Sequence, residues 1–526
     1  MPVLPPPILP PNVSERQFTK ALDAFADIVG KDWVFSSEED LKTYLDPFAP
    51  DNAEDHAASA AIAPTTVEEI QAILKVARQY KIPLWTVSCG KNHGYGGAAP
   101  RMKGTVVLDL KRMNKIIEVN ETLGYAVVEP GVSFFQLYDY IEERGLKLWL
   151  SLPAPGWGSV MGNALDRGIG YTSYGENTAM ICGMEILLAD GQIIRTGMGA
   201  AAHDTAWHLY KYGFGPSWDQ VFMQSNYGIV TKIGIWLMPE PEATASVTIT
   251  VPNESDLPQI IDTIRPLRIG QTINTNVVVA NAVRRLAGTS TREEHYTGKG
   301  AMPDELIAKI MKDKGWNFWE VTITFFDDED AIEGRLKKVE TAFKAIPGTS
   351  FEVKRWKRGE PIENSAKPRP NLMAYQVINW RGGRGGHIGF APIVAPLGSE
   401  AAKIYGLMKK RIRDFGFDYF GGFTFFHRHT IHTSLLIFDQ DDPEMKQNAF
   451  NLFDTAVREA AALGFHEYRT HVSWMDLIAG QYDFNDHALM RLNERVKDAL
   501  DPDGILAPGK QGIWPKALRE HKGKKI

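Results

Sequence analysis

The spacing of apolar positions in the first half of the chain predicts both helices and strands. Apolar residues at three- and four-residue steps form one face of a helix after Thr65 or Thr66, with an acidic cap signal at Glu68 or Glu69: Val67, Ile70, Leu74 and Ala77. A second helix is predicted to begin at Ser133. Short apolar runs predict the following strands: 84–88, 105–110, 125–129, a hairpin of 181–189 and 192–196 turned by Asp190-Gly191, and a buried strand within 224–239.

The pattern changes after Pro239-Glu-Pro-Glu242. Strands near 246–251, 273–280, 318–325, 387–394 and 432–438 alternate with helices near 256–265, 331–345, 399–414 and 443–463. This alternation predicts an antiparallel sheet with helices on one side. Residues 1–12 are predicted to be an extended arm and 355–385 a long loop. The α+β chain therefore divides into a first domain of residues 1–240, a second of 241–499 and a return of 500–526 to the first.

Composition excludes several classes of protein. The 526 residues carry a net charge of −6 and no basic stripe, which argues against a nucleic-acid partner. No apolar run is long enough to span a membrane, and the proline-rich N-terminus does not resemble a signal peptide. Only Cys89 and Cys182 occur, so a disulfide framework is excluded and a cytoplasmic location is predicted.

A glycine-rich stretch, Ser88-Cys-Gly-Lys-Asn-His-Gly-Tyr-Gly-Gly-Ala-Ala-Pro-Arg101, follows the first predicted strand of this region. Glycine tolerates positive φ and lets backbone N–H groups approach a ligand, and consecutive bare N–H groups form a concavity that binds anions such as a diphosphate. The spacing matches neither of the two common nucleotide motifs. From the residues alone, a glycine-rich surface turn remains as good an interpretation.

The order of residues in this stretch resembles the pyrophosphate loop of the vanillyl-alcohol oxidase family of flavoproteins. Further blocks resemble the family in the same order: Leu152–Ser159, Gly170–Asn177, Arg381–Phe390 and Glu467–His471. The resemblance implies a two-domain fold, with an FAD-binding domain formed by 1–240 and 500–526 and a substrate or cap domain at 241–499.

The resemblance also implies how FAD is held. In the family, a histidine in a G-G-H-I-G-F block bonds to the 8α carbon of the flavin, and His387 matches that position, although alone it reads as a solvated loop residue. The other positions expected to contact the cofactor are Ser88, Gly90, Lys91, Asn92, Gly94, Tyr95, Gly96, Gly97, Pro153, Gly158, Ser159, Gly162, Asn163, Gly228, Ile229, Val230 and Lys510.

A pair of neighbouring residues, Tyr468 and Arg469, suits an aromatic oxyanion, because arginine cannot deprotonate and tyrosine donates a short hydrogen bond. The alternative is a structural role, in which the two residues form an interface pair with a guanidinium at the surface. Tyr95 matches the family's third phenolate partner and Tyr171 a further tyrosine of the pocket. We therefore expect these four residues to be catalytic.

The sequence departs from the family where a carboxylate is usual near flavin N5. Ala154 stands at that position, and Glu176-Asn177 replaces an Asp-His pair. Ala391 and Gly422 fall where polar side chains are expected. The substrate pocket is expected to contain these small residues with Trp157, Phe423 and Phe425, besides Phe420 and Phe426. Losing the base that activates water favours desaturation over hydroxylation, unless a histidine replaces that base.

The resemblance implies FAD-dependent oxidation of 4-alkylphenols, with 4-ethylphenol, 4-propylguaiacol, eugenol and vanillyl alcohol as candidates. Hydride transfer from the benzylic carbon gives a p-quinone methide, and O₂ then yields H₂O₂. The alternatives are a dehydrogenase that uses a cytochrome or other acceptor, a binding protein without turnover, and a sugar or alkaloid oxidase. A homodimer or larger homo-oligomer is expected. His427 and His429 share a strand face, but no acid or cysteine completes a ligand set, so no metal is expected.

Overall fold

The computed structural model describes residues 8–362 and 367–523. Part of the arm predicted for 1–12 and of the loop predicted for 355–385 lies outside these residues. The helices are Glu15–Val29, Glu38–Lys42, Val67–Tyr80, Phe134–Glu143, Val160–Leu165, Asp219–Phe222, Leu257–Ile269, Ala282–Ala287, Asp304–Lys314, Glu329–Phe343, Gly398–Asp414, Pro443–Ala462, Met475–Gly480 and Phe484–Leu500. Thr66 caps the third of these by accepting a hydrogen bond from the N–H of Glu69, as predicted.

Two small sheets are formed by the first 240 residues. The first sheet has the order Val34–Phe35, Ala61–Ile62, Val106–Asp109, Leu84–Val87, and its last three strands are parallel. The second sheet is antiparallel, in the order Ile116–Asn120, Tyr125–Val128, Ile229–Trp236, Ile181–Leu187, Ile193–Arg195. A two-stranded pair, Leu148–Trp149 and Met238–Pro239, stands apart.

The large sheet contains the nine remaining strands and is antiparallel throughout, as predicted. Its order is Ser350–Lys357, Ala243–Val251, Trp319–Asp327, Val277–Asn281, Phe420–Phe425, Thr430–Asp439, Pro392–Val394, His466–Glu467, and Gly385–Phe390 also pairs with Thr430–Asp439.

One face of the large sheet carries the main hydrophobic core. Four helices cover that face with their apolar sides: Leu257–Ile269, Glu329–Phe343, Gly398–Asp414 and Pro443–Ala462. Burying these side chains supplies the principal stabilisation of this half of the molecule. The opposite face is left to form the floor of a cavity.

Two predictions about the second half are corrected by the structure. Residues 355–385 are not one long loop, because the strand Ser350–Lys357 enters the segment and the 3₁₀ helix Met373–Arg381 ends within it. Phe420–Phe425 is a strand, whereas its phenylalanines had suggested only a pocket wall.

The C-terminal segment joins the first sheet. Leu84 donates its N–H to Ile505 O at 2.7 Å, and Ala507 donates to Leu84 O at 2.7 Å. The buried Lys497 Nζ donates to Asp501, Asn226 O and Leu506 O. Residues after 500 therefore contact the N-terminal region, although the domain bounds themselves stay a prediction. Within the described residues, no helix is long and apolar enough to cross a membrane.

Candidate active site

A cavity of ≈ 430 Å³ lies between the glycine-rich stretch, the second sheet and the free face of the large sheet. Its wall includes residues from segments that are remote in the sequence, from Trp85 to Lys510. Such a convergence of loops and sheet faces is typical of a site for a large cofactor and a small substrate.

The glycine-rich stretch forms one end of this cavity. Asn92 fixes the turn, since its Oδ1 accepts a hydrogen bond from Gly97 N at 2.8 Å. In the part of the chain that the structure describes, the N–H groups of residues 91–94 have no hydrogen-bond acceptor. Donors directed at no protein partner are what a diphosphate requires. The residues present therefore fit the phosphate part of FAD.

His387 lies in the cavity wall with its ring fully enclosed. Neither ring nitrogen has a hydrogen-bond partner among the described residues. The ring stacks on His93, with centroids 4.1 Å apart and planes inclined by 8°. Burial, with the nearby His93 adding to it, holds the pKa of His387 well below its usual value, so the imidazole is neutral. A neutral imidazole in the cavity wall, with neither nitrogen paired among the described residues, fits a covalent attachment to a flavin.

Gly94 allows this histidine its position. Gly94 adopts a φ of 81°, and a Cβ at this residue would lie 2.7 Å from Nδ1 of His387. Any other residue would displace the imidazole or strain the backbone. Glycine is thus required here by close approach as well as by conformation.

Arg469 is buried between two tyrosines at the other end of the cavity. Its Nη2 donates to Tyr95 Oη at 3.0 Å, and the guanidinium carbon lies 4.2 Å from the Tyr95 ring centroid and 5.5 Å from that of Tyr468. Its Nε has no hydrogen-bond partner in the described chain. A buried cation with unused hydrogen-bonding capacity is prepared to receive an anion.

The protonation states of the neighbours suit that task. Burial, together with the charges of Tyr95, Glu467 and Tyr171 and despite Arg469, raises the pKa of Tyr468, so its hydroxyl remains a donor. Burial also raises the pKa of Glu467 to about 8, against the opposing effects of its hydrogen bond from Ala391 N and of Arg469. With Glu467 protonated near neutral pH, the guanidinium carries the positive charge at this end, and Asp166 is a carboxylate whose charge acts on it.

Period-two alternation decides which residues of the large sheet face the cavity. Thr424, Ile431, Thr433 and Leu435 line it. Phe423 and Phe425 point to the opposite face and belong to the main hydrophobic core. They do not form the substrate pocket as predicted. Phe423 and Phe425 flank Thr424, and successive side chains of a strand point to opposite faces of the sheet. His432 pairs with Phe423 and also faces away from the cavity.

Most of the other predicted site residues line the cavity. They are Ser88, Gly90, Lys91, Asn92, Tyr95, Gly97, Pro153, Ala154, Gly158, Ser159, Gly162, Asn163, Tyr171, Gly228, Ile229, Val230, His387, Ala391, Tyr468, Arg469 and Lys510. Gly94 and Gly96 lie behind the wall, against His387 and Val472 respectively. Trp157 lies outside the cavity, where its Nε1 donates to Tyr375 Oη at 2.9 Å.

The other histidines considered in the sequence have protein partners. His427 Nε2 forms a hydrogen bond with Gln271, and the His429 ring stacks on Phe426 at 4.8 Å. Within the described ranges, the histidines that line the cavity are His93 and His387, and no cluster of three metal-ligating residues occurs.

Three ionisable residues that line the cavity were missed by sequence reasoning. His93 lies within the glycine-rich stretch and could have been noticed there. Asp166 follows the helix Val160–Leu165 and interacts electrostatically with Arg469. Arg284 lies on the six-residue helix Ala282–Ala287, which carries no motif, so no signal in the sequence marks it.

Comparisons with known proteins agree with this geometry. Residues 58–197 match the FAD binding domain family and residues 316–511 the C-terminal domain of FAD linked oxidases. The flavoprotein subunit of hydroxylating 4-cresol dehydrogenase from Pseudomonas putida is 38% identical over 514 residues, covering 96% of this chain and 98% of that protein.

Two solved structures are similar over nearly the whole chain. That of 4-ethylphenol oxidase from Gulosibacter chungangensis, in an isoeugenol complex, has a TM-score of 0.93 at 38% identity and covers 97% of this chain and 100% of its own. That of p-cresol methylhydroxylase with bound substrate has a TM-score of 0.91 at 36% identity, covering 96% and 99%. The predicted two-domain α+β flavoprotein fold is confirmed, and the chain belongs to the vanillyl-alcohol oxidase and p-cresol methylhydroxylase family of FAD-dependent enzymes that oxidise para-substituted phenols.

Proposed function

We propose that this enzyme oxidises 4-alkylphenols, with 4-ethylphenol as the simplest substrate, and converts them mainly to 4-vinylphenols. The observation that carries the proposal is the pair of tyrosines around the buried Arg469. Its Nε has no hydrogen-bond partner among the described residues, and Arg469 lines a cavity large enough for cofactor and substrate. The similar proteins are a 4-cresol dehydrogenase, a 4-ethylphenol oxidase and a p-cresol methylhydroxylase, which point to the same class of substrate.

The arginine and tyrosines act by stabilising the phenolate. Tyr468 donates a hydrogen bond, Tyr95 is positioned by Arg469, and the guanidinium supplies a full positive charge. Lowering a phenol's pKa from about 10 to below 7 requires about 4 kcal/mol, at 1.36 kcal/mol per unit, which such partners supply in a dry site. The anionic ring then releases a hydride from its benzylic carbon more readily.

FAD would be held by the N–H groups of residues 91–94, by Lys510 near Trp85, and by a covalent bond between its 8α carbon and His387. Bound there, it would accept the two electrons that leave the substrate as hydride. His93 keeps the tether histidine oriented by stacking on it. Because His387 is neutral, its lone pair is available for attachment at physiological pH.

The choice of product follows from the residues near the para side chain. Ala154 lines the cavity at the position where the family has a carboxylate. Among the described residues, the acidic residue that lines the cavity is Asp166, and it interacts electrostatically with Arg469 at the phenolate end. A water molecule beside the quinone methide therefore lacks a strong base. Loss of a proton from the next carbon of the substrate's para side chain then competes well with the addition of water, and the product is an alkene.

Product analysis tests this proposal. Anaerobic 4-ethylphenol should bleach the flavin, and aerobic turnover should give mainly 4-vinylphenol. Finding mainly 1-(4-hydroxyphenyl)ethanol would overturn desaturation, and an unbleached flavin would overturn the activity itself. Ala154→Asp should shift the products toward the alcohol, because it restores a base near the benzylic carbon.

The oxidant is proposed to be O₂, which is reduced to H₂O₂. A dehydrogenase that passes electrons to a partner protein is the second candidate, since a relative carries the words flavoprotein subunit in its name. Measuring peroxide formation against reduction of an artificial dye separates the two.

A homo-oligomer and a cytoplasmic location are part of the proposal, and both cysteines are unpaired, as a reducing compartment requires.

A further inference from the structure

Arg284 is a second arginine in the wall of the cavity, distinct from Arg469. It lies on the helix Ala282–Ala287, directly after the large-sheet strand Val277–Asn281, and its backbone N–H is capped by Asn281 Oδ1 at 3.0 Å. A Cβ on Gly422 would lie 3.3 Å from its Nη1. The absence of a side chain at Gly422 therefore leaves room for the guanidinium above the strand Phe420–Phe425.

This guanidinium has no charged partner in the described chain. No hydrogen bond or ion pair of its side chain occurs there, whereas the adjacent Arg285 forms an ion pair with Glu320 at 2.8 Å and does not line the cavity. The residues that line the cavity from the strands Phe420–Phe425 and Thr430–Asp439 and from the 3₁₀ helix are small or apolar apart from two threonines: Ala374, Val377, Thr424, Ile431, Thr433 and Leu435. A half-buried cation facing such a surface is not neutralised by the residues that the structure describes.

The two cavity arginines are associated with strands that are well separated in the order of the large sheet. Arg469 follows the strand His466–Glu467, and Arg284 lies over the strand Phe420–Phe425, three positions away in the order of the sheet. At roughly 4.8 Å per step, these strands are roughly 14 Å apart. We take this strand separation as the spacing of the two guanidiniums. If each binds an oxygen at about 2.8 Å, roughly 8–9 Å remains between the two oxygens, which is the length of a phenol ring with an extended three-carbon acid.

We propose that Arg284 binds a carboxylate at the end of the para side chain, so that the preferred substrates are 4-hydroxyphenylalkanoates, with 3-(4-hydroxyphenyl)propanoate as the best fit. This inference rests on the proposed function. The phenolate oxygen contacts Arg469 and the tyrosines, the ring crosses the floor between Ala391 and Thr433, and the side-chain carboxylate pairs with Arg284.

The reaction on this substrate balances as a desaturation. The benzylic carbon would lose a hydride, for which bound FAD would be the acceptor, and the carbon next to the carboxylate would lose a proton to water. A carbon–carbon double bond forms, and the product is 4-hydroxycinnamate. The two electrons pass on to O₂, as in the proposed function.

Comparing the acid with its neutral counterpart tests the proposal. The measured quantity is the ratio of kcat/KM for 3-(4-hydroxyphenyl)propanoate to that for 4-propylphenol, with the holoenzyme. Arg284→Met should lower this ratio about 10–100-fold, mainly through KM, because a hydrogen bond to a charged group is lost. Arg284→Lys should retain part of the preference, and Arg284→Glu should favour 4-(3-aminopropyl)phenol instead.

Arg285→Gln is the matched control, and it should leave the ratio as in the native enzyme. A readout without turnover is the affinity for 4-hydroxycinnamate against 4-propenylphenol by calorimetry, which should show the same loss in Arg284→Met. An unchanged ratio and affinity in Arg284→Met would overturn the inference. Equal losses for both substrates with an altered flavin spectrum would also overturn it, because Arg284 would then serve the cofactor. If the native enzyme oxidises neither substrate, the proposed function itself fails.

Discussion

Arg469 is positioned before any phenol binds, because the two tyrosine rings enclose it and Tyr95 accepts one of its hydrogen bonds. Such preorganised charge is worth most in a dry site. Arg469→Met should lower kcat/KM for 4-ethylphenol about 10²–10³-fold, the cost of losing one strong oxyanion donor. Tyr468→Phe should cost less, since the guanidinium charge remains. Steady-state kinetics across pH should show the loss in both variants, with the FAD content as control; an Arg469→Met enzyme with native kinetics would contradict the assigned role.

Glu467 should make the stability of the protein depend on pH. Its pKa in the folded chain is about 8, above its usual value of 4.5, so between these values the folded state binds more protons than the unfolded state. Stability should therefore fall as pH rises from about 5 to 8, by at most about 1.4 kcal/mol per pH unit from this group. Chemical denaturation of the native protein and Glu467→Gln at several pH values measures this; equal slopes for the two would exclude the effect.

His387 should hold the flavin after denaturation. Acid precipitation of the native enzyme should leave yellow pigment in the pellet, and His387→Ala should release it to the supernatant while the folded variant still binds FAD. His93→Ala should slow the attachment, because the stacked ring that orients His387 is removed. Complete release of the pigment from the native enzyme would exclude the bond.

At the scale of elements, alternate residues of the strand Phe420–Phe425 have different roles. One set packs in the main core and contributes to stability, and the other faces the cavity and contributes to substrate specificity. Phe425→Ala should cost about 3–5 kcal/mol of unfolding free energy, because it empties a place in the main core. Thr424→Val should leave stability nearly unchanged and alter the KM for 4-alkylphenols, because Thr424 lines the cavity. Thermal unfolding and steady-state kinetics of both variants test this. A loss of stability in Thr424→Val with a change of KM alone in Phe425→Ala would contradict the assignment of the two faces of the strand.

The elements that sequence reasoning predicted best carry strong local signals. The helix Val67–Tyr80 has both a cap and an apolar stripe, and the strand Thr430–Asp439 contains the apolar run 435–438. The strand Phe420–Phe425 was missed because glycines and aromatic residues obscure its alternation, and its facing is fixed only by pairing with Thr430–Asp439. Arg284 was missed for a similar reason, since Gly422, which lies beside its guanidinium, is distant in sequence.

At the scale of the whole molecule, Lys497 links the C-terminal return to the two small sheets. It is fully buried, pairs with Asp501 at 2.7 Å, and donates to Asn226 O and Leu506 O. Lys497→Met should cost about 3–5 kcal/mol of stability, because it leaves a buried carboxylate unpaired. It should also weaken FAD retention, since Asn226 lines the cavity. The exposed pair Lys309–Asp313 is the control, and Lys309→Met should change stability by less than about 1 kcal/mol.

The stacked histidines come from regions that are far apart in the chain, His93 from the glycine-rich stretch and His387 from the large sheet. A flavin bonded to His387, with its diphosphate bound beside His93, would link the glycine-rich stretch to the large sheet. Attachment could then occur only after both regions have met, so the colour of a purified preparation would report how many molecules have completed assembly.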